Sequence, residues 1–297
     1  MKTPPIDYIK RTRAYYLALG YDNPYQWAHY DDVPFQGLSK PLSEMVIALV
    51  TTAAPYQPDK GDQGPGAPYN AEAKFYRLFR QPVSPPPDLR ISHIAIDRTY
   101  SRADDINSYF PLTALRRAEK NGVIGGIAPY FYGLPTNRSQ KTTIEQDCAE
   151  LVSWIETDRP DAVIGLPNCP VCHQSVSLAM RALEAAGTPT VIMGCARDIV
   201  EYAGVPRFHF SDFPLGNAAG LPHKPEAQYA SLIDALGLFE TATKARTTFT
   251  SPQIWSEDES WKDDYSNPDK LTADEIAARR QAFDAAKSTA ATLRTRQ

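Results

Sequence analysis

Apolar residues along the chain fall into short unbroken runs separated by longer stretches of helical spacing. The runs 45–52, 161–166 and 189–194 are apolar at nearly every position, as expected of parallel strands buried on both faces. The stretch 89–96 alternates and reads as a further strand. Residues 123–127 read as a strand weakened by Gly125 and Gly126, and 207–210 as a short last one. Between these runs the spacing is helical. Leu112 to Asn121 is closed by Gly122, and 142–157 carries Ile144, Ala149, Leu151, Val152 and Ile155. The stretch 174–186 carries Val176, Ala179, Met180 and Leu183 before Gly187, Cys195 opens another helix, and 225–239 carries Tyr229, Leu232, Ile233 and Leu236. Strands alternating with helices predict an α/β fold, a three-layer Rossmann-like or flavodoxin-like domain around a mainly parallel sheet.

That domain is expected to occupy residues 41–240, between an N-terminal arm (1–40) and a C-terminal loop and helix extension (241–297). The arm holds a helix near 7–19, closed by Gly20, and a turn-rich aromatic stretch, Tyr21 to Trp27. His29, Tyr30, Asp31 and Asp32 read as a polar surface beside packed aromatics rather than a metal cluster. Tyr56–Asn70 and Pro82–Pro87 are loops rich in Gly or Pro, the first long enough to be functional. Thr272-Ala-Asp-Glu275 is a capping box heading a helix rich in Ala and Arg. Few large apolar residues follow it, so it should pack on a surface or a neighbouring subunit, and a homo-oligomer is expected.

Composition narrows the classes. The chain of 297 residues is 42% hydrophobic and 22% charged with a net charge of −4, an ordinary globular balance with no basic footprint for nucleic acid. No run reaches the length of a membrane span, and Met1-Lys-Thr-Pro-Pro lacks the apolar core of a signal peptide, so the expected location is the cytoplasm. Four cysteines are too few for a disulfide framework and, in a reducing compartment, read as redox, catalytic or metal-binding.

The chemistry concentrates in Asn168-Cys169-Pro-Val-Cys172-His173. This segment lies between the carboxyl end of one strand and the first turn of the next helix. Ligands of open α/β sheets bind at that edge, and the helix N-terminus favours a thiolate over a thiol. Cys169, in the loop, is the expected nucleophile. Cys172, about one turn into the helix, is within reach of a disulfide and is the expected resolving thiol. Zinc held by Cys169, Cys172 and His173 is an alternative, short of a fourth ligand. Thiol–disulfide exchange through the CxxC is another, and a racemase-like pairing of Cys169 with Cys195 a third. Cys148 falls in a helical core stripe and reads as an inert thiol. His93 reads as a core or edge histidine, and His209 and His223 flank the 212–220 loop without a spacing argument for either.

Several segments, in order, resemble the selenoprotein B subunit family of glycine, sarcosine and betaine reductases and D-proline reductase. They include Tyr8-Ile-Lys-Arg-Thr-Arg13, Lys40-Pro-Leu-Ser-Glu44, Asp104-Asp-Ile-Asn107, Gly122 to Pro129, the Cys169 loop and Pro214-Leu-Gly-Asn217. The resemblance runs over residues 1–220 and excludes the tail beyond about 240. It places Cys169 at the selenocysteine position and Cys172 at its partner's, a cysteine variant of the family. It implies reductive cleavage of a carbon–nitrogen or other carbon–heteroatom bond. No cofactor intrinsic to the chain, an external dithiol reductant and a pyruvoyl-bearing partner subunit complete the expectation. Asp104, Asp105, Asn107, His173, Cys195 and Asn217 are the expected substrate-binding residues.

Overall fold

The apolar run after Met45 becomes strand β1 (Val46–Thr51), buried from Ile47 onward. The computed structural model describes residues 3–23 and 25–294; Met1 and Lys2 of the N-terminal sequence and Pro24 of the turn-rich stretch lie outside them. The remaining strands are β2 (Ala54–Pro55), β3 (Phe79–Pro82), β4 (Leu89–Arg90), β5 (Gly126–Ile127), β6 (Tyr130–Gly133), β7 (Ala162–Leu166), β8 (Thr190–Gly194), β9 (Arg207–Phe210) and β10 (Thr247–Thr250). Helix α1 (Tyr8–Ala18) precedes them, and α2 (Leu112–Lys120) lies between β4 and β5. A single long helix follows β6, made of α3 (Gln140–Thr142), a π-helical turn (Thr143–Cys148) and α4 (Ala149–Asp158). Then come α5 (Pro170–Ala185), α6 (Arg197–Ala203), α7 (Pro225–Thr241), α8 (Trp261–Asp264) and α9 (Ala273–Arg294).

Eight strands form one sheet in the order β10-β9-β8-β7-β1-β6-β3, with β5 also paired to β1. Every pair is parallel except β3 with β6. The side chains of β1 divide the core. Ile47 and Leu49 face one layer with Leu115 of α2 and Leu232 and Leu236 of α7. Ala48 and Val50 face the other with Leu151 and Ile155 of α4 and Val176, Met180 and Leu183 of α5. This is the three-layer α/β architecture, with both sheet faces covered. Gly165 in β7 lets α5 come close, since a Cβ there would sit 2.6 Å from Val176 Cγ1.

The expected strand 89–96 is a correction. Only Leu89–Arg90 is extended, and it pairs antiparallel with β2 off the main sheet. Burial beyond it does not alternate: Ser92 and His93 are both buried while Ile94 is exposed. The place beside β1 goes instead to β6, an aromatic run (Tyr-Phe-Tyr-Gly) of high strand propensity. β10 extends the parallel sheet beyond residue 240 through a Thr-rich segment paired to β9.

The two ends of the chain meet. The capping box forms, with Glu275 accepting from Thr272 N–H at 2.8 Å and Thr272 Oγ1 accepting from Glu275 N–H at 3.3 Å. From α9, Phe283 packs edge-on against Tyr16 and Tyr21, and Arg280 donates to the carbonyls of Leu19 and Gly20. The C-terminal helix thus packs on the N-terminal arm. Among the described residues no helix is long and apolar enough to cross a membrane.

Candidate active site

β1 lies where the chain turns from building one half of the sheet to the other, with β6 on one side and β7 on the other. Loops leaving the carboxyl ends of such strands form a crevice. Three of them meet here. Thr52, just after β1, accepts from Asn168 N–H at 3.1 Å and from its side-chain amide at 3.0 Å, which fixes the loop after β7. Thr136 comes from the loop after β6. Cys169 caps α5, its sulphur accepting from Cys172 N–H at 3.2 Å, with Pro170 in the first helical position.

Cys169 and Cys172 are joined as a disulfide, their Cα atoms 4.8 Å apart. Cys172 is 0% exposed and Cys169 5%, and only Cys169 reaches the wall of a cavity of about 330 Å³. Tyr69, Tyr76 and Lys74 contribute to that wall from the long loops, and Thr12, Tyr15 and Tyr16 from α1. Tyr265, and Phe283 and Lys287 of α9, close it from the C-terminal side together with Arg138, while His93 and Thr136 lie beside the sulphurs.

A short hydrogen-bonded chain connects the cavity to the buried sulphur. Thr136 Oγ1 lies 3.3 Å from Cys172 Sγ and 3.1 Å from His93 Nε2. His93 is 4% exposed, and its Nδ1 has no hydrogen-bond partner among the described residues. Burial, then the charges of Lys74 and Arg98, holds its pKa well below the usual histidine value, so the ring is neutral at pH 7. Lys74 Nζ donates to the Thr136 carbonyl at 3.1 Å.

His173 is turned away from the sulphurs. Its Nε2 accepts from the N–H groups of Cys195 at 2.9 Å and Ala196 at 3.2 Å, so the ring proton sits on Nδ1, which donates to the Cys169 carbonyl at 2.8 Å. Burial pushes its pKa down to about 4, the Cys169 carbonyl opposing only in part. Gly194 makes room for this ring: a Cβ there would lie 2.9 Å from it. The histidine whose ring nitrogen groups with both sulphurs, within 4.8 Å, is His93.

The other expected substrate-binding residues lie apart from the cavity wall. Asp105 caps a short helix and accepts from His223 N–H at 2.7 Å and Gln228 Nε2 at 2.6 Å. Burial raises its pKa, but these hydrogen bonds outweigh that and the net shift is downward. Asn107 donates to Asp105, and Asp104 pairs with His223 at 3.1 Å. Asn217 donates to Ser101 Oγ at 2.6 Å and to the Pro214 carbonyl. Together they fasten the 212–223 loop to the 101–108 segment. Cys195 is buried, and burial, then the charge of Asp212, pushes its thiol far above the usual range. Cys148 is likewise buried and pushed up to about 12 by burial, then Asp147. Buried His209 stacks on Phe249 away from the cavity.

Lys74, Thr136, Arg138 and the tyrosines carried no chemical motif, and His93 sat in a stretch read as a strand. No local spacing marks them, because segments far apart in the chain bring them together.

No family model matches the chain, and no solved structure matches it. Among curated proteins it is 31% identical over 201 residues to the D-proline reductase subunit gamma of Acetoanaerobium sticklandii, covering 67% of this chain and 80% of that one. It is 25% identical over 239 residues to the glycine reductase complex component B subunit gamma of Symbiobacterium thermophilum, covering 77% of this chain and 54% of the relative. To the betaine reductase complex component B subunit beta of Peptoclostridium acidaminophilum it is 27% identical over 163 residues, 55% of this chain and 37% of the relative. The chain therefore spans about half the length, or less, of the B-component subunits it matches, but most of the D-proline reductase subunit. With that subunit's similarity running over two thirds of the sequence, this chain belongs to the family of the D-proline reductase gamma subunit and the B-component subunits of glycine, betaine and sarcosine reductases.

Proposed function

We propose that this chain is the thiol-bearing subunit of a reductase that cleaves a carbon–heteroatom bond, carbon–nitrogen in the first instance, of a small molecule. The observation that carries this reading is the Cys169–Cys172 pair at the floor of a cavity on the carboxyl edge of a parallel sheet, with Cys169 alone facing the cavity.

In the reduced protein the Cys169 thiolate attacks the carbon that bears the heteroatom. That bond breaks, and its electron pair leaves with the heteroatom, which takes a proton. Cys172, as thiolate, then attacks the Cys169 sulphur. An S–S bond forms, the S–C bond breaks, and its pair remains on carbon, which takes a second proton. The two thiols have supplied two electrons and two protons, and an external dithiol returns them by exchange. The helix N-terminus favours the thiolate on Cys169. The hydrogen-bonded path from Cys172 through Thr136 to His93 Nε2 offers a route along which the Cys172 proton can move.

The relatives are named as subunits of complexes, which supports a partner reductase subunit for this chain. The pyruvoyl group implied by the family would sit on that partner, and the steps above use only residues of this chain. The proposed setting is the cytoplasm, with self-association through exposed surface.

Peptide mapping tests the assignment. Dithiothreitol should open a Cys169–Cys172 bridge, and limiting iodoacetamide should then label Cys169 first. The Cys172→Ser variant should hold one substrate or reagent adduct per site without releasing it, seen as a mass increase on the intact protein. Labelling of Cys172 in preference would reverse the roles.

A second reading has one specific observation behind it. His93, Cys169 and Cys172 could together hold a metal ion once the disulfide is reduced, as three ligands of a zinc site with an open position. Metal analysis of protein purified under reducing conditions decides it, since stoichiometric zinc lost in Cys169→Ser and His93→Ala would favour this second reading.

A further inference from the structure

Two sides of the Cys169 cavity are held to the molecule in different ways. Below the sulphurs, α5 is buried along most of its length. On the C-terminal side, α9 supplies Phe283, Ala286, Lys287, Ala290 and Ala291 to the wall. Among the described side chains of α9, Phe283 alone is buried. The chain just before this helix is firmly docked. Buried Tyr265 packs edge-on against Tyr8 and donates to the Ala95 carbonyl at 3.0 Å, and Trp261 lies in the same core. Between Tyr265 and α9, residues 266–272 include no buried side chain, and Ser266 takes a left-handed φ of 45°.

The polar bonds that close α9 on the N-terminal arm lie near the surface. Arg280 donates to the Leu19 and Gly20 carbonyls at 2.8 and 2.9 Å, and its guanidinium stands 3.7 Å from the centre of the Tyr21 ring. Asp284 accepts from the Tyr21 hydroxyl at 2.6 Å and from Arg280 Nε at 2.8 Å. Phe283 meets the Tyr16 and Tyr21 rings, with the Arg138 guanidinium 4.4 Å from its own centre. Exposed polar pairs contribute little, and a segment with few buried apolar contacts opens at a lower free energy than the core. The helix is thus fastened by one aromatic plug beside an unburied hinge.

With α9 in place Cys169 is 5% exposed and Cys172 0%. The cavity of about 330 Å³ has room for a small molecule, but not for the loop that carries another protein's thiol. Reduction of a disulfide requires the incoming sulphur to touch one of its two sulphurs. We propose that α9 is a lid, hinged at 266–272 and latched by Phe283, which swings away before a protein dithiol reduces the Cys169–Cys172 bridge. With the lid open, one thiolate of the dithiol attacks Cys169 Sγ. An S–S bond forms between the two proteins, the Cys169–Cys172 bond breaks, and Cys172 leaves with the electron pair and takes a proton. The second thiolate then attacks the reductant's own bonded sulphur. Cys169 is released with the pair as a thiolate, and the reductant is left as a disulfide. Of the reductant's two protons, one has gone to Cys172 and the other to solvent. The inference rests on the reading of Cys169 as the thiol that faces the cavity, and adds the step that admits its reductant.

Reagents of graded size test it on the full-length protein. In one arm the oxidised protein is reduced either by dithiothreitol or by thioredoxin kept reduced with its reductase and NADPH. Phe283→Ala should speed reduction by thioredoxin about tenfold and reduction by dithiothreitol less than about twofold. Arg280→Ala should act in the same direction by a smaller factor. In a second arm the reduced protein is labelled with N-ethylmaleimide or with fluorescein maleimide, the same reactive group on a larger body. Rates are normalised to N-acetylcysteine and mapped to the modified residue. The wild type should favour the small reagent at Cys169, and both variants should narrow that preference. Hydrogen exchange of the wild type, which needs no variant, should show α9 amides exchanging well ahead of those in α5.

Equal acceleration of thioredoxin and dithiothreitol, no reduction by thioredoxin in either variant, an unchanged size preference, or α9 amides as protected as those of α5 overturns the inference while leaving Cys169 as the nucleophile. Failure of every reagent at Cys169, with Cys172 labelled instead, overturns the reading beneath it as well.

Discussion

Two successive loops of this sheet carry a cysteine at the same topological position, and they end in opposite environments. Cys169 follows β7 and Cys195 follows β8, both at the carboxyl edge. Cys169 caps the long helix α5 and reaches a cavity of about 330 Å³. Cys195 stands before the short helix α6 and is packed with Ile6, Tyr8, Phe213 and Leu215. Burial and the Asp212 charge disfavour its thiolate. Position at a sheet edge therefore does not by itself bring a cysteine to a cavity. What closes over the loop decides: the N-terminal arm and 213–215 fill the space above Cys195, whereas α1, α9 and the 69–76 loop leave a cavity above Cys169. His173 ties the two together, donating to the carbonyl of one cysteine and accepting from the N–H of the other.

The comparison breaks most sharply at the sulphurs. Cys169→Ser should abolish dithiol-dependent turnover and leave no cysteine that iodoacetamide labels quickly in the folded, reduced protein, where Cys148, Cys172 and Cys195 are all buried. Cys195→Ser should leave the labelling of Cys169 unchanged. A native Cys195 that reacts as fast as Cys169 would erase the distinction.

Next in size is the shared histidine. His173→Ala strips partners from one buried carbonyl and two buried N–H groups, at a cost of about 3 kcal/mol or more, measured as a lower denaturant midpoint. A pH dependence accompanies it. The folded pKa is depressed to about 4, so the unfolded chain binds the extra proton between about pH 6.5 and 4. The stability from a neutral His173 is complete above that window and is lost as pH falls through it. The loss amounts to roughly 3 kcal/mol. Chemical denaturation at pH 7 and pH 4.5 should show this slope, reduced in His173→Asn.

Gly194→Ala sharpens the link between the loops. Its Cβ would meet the His173 ring at 2.9 Å, and forcing the two apart should cost about 2 kcal/mol while slowing Cys169 alkylation. An unchanged midpoint in thermal or urea unfolding would show that the ring is not confined there.

The smallest effect is at Thr136. Thr136→Val removes the hydroxyl between His93 and Cys172 with little change in shape. Closure of the disulfide after adduct formation should slow about tenfold, the equivalent of one hydrogen bond, with the first alkylation step unaffected. Single-turnover kinetics separate the two steps.

Much of the scaffold could be read locally, because periodicity and stop signals are properties of neighbouring residues. β1, β7 and β8 follow from unbroken apolar runs, α2 and α5 from helical spacing closed by Gly122 and Gly187, and the start of α9 from its capping box. The position of Cys169 at a strand end and helix start followed from the same signals. The segment 91–96 misled because its alternation answers to no ladder: the neighbour of β1 is β6, chosen by sheet assembly. Tertiary structure alone decided that α9 folds back on α1, that His93 and Thr136 flank the sulphurs, and that Asp105 and Asn217 fasten loops away from the cavity. Those contacts join segments far apart in sequence, and their geometry is set by how the layers close. A local pattern can place a cysteine at the edge of a sheet, but the charge and space around it come from residues that only the packed chain brings there.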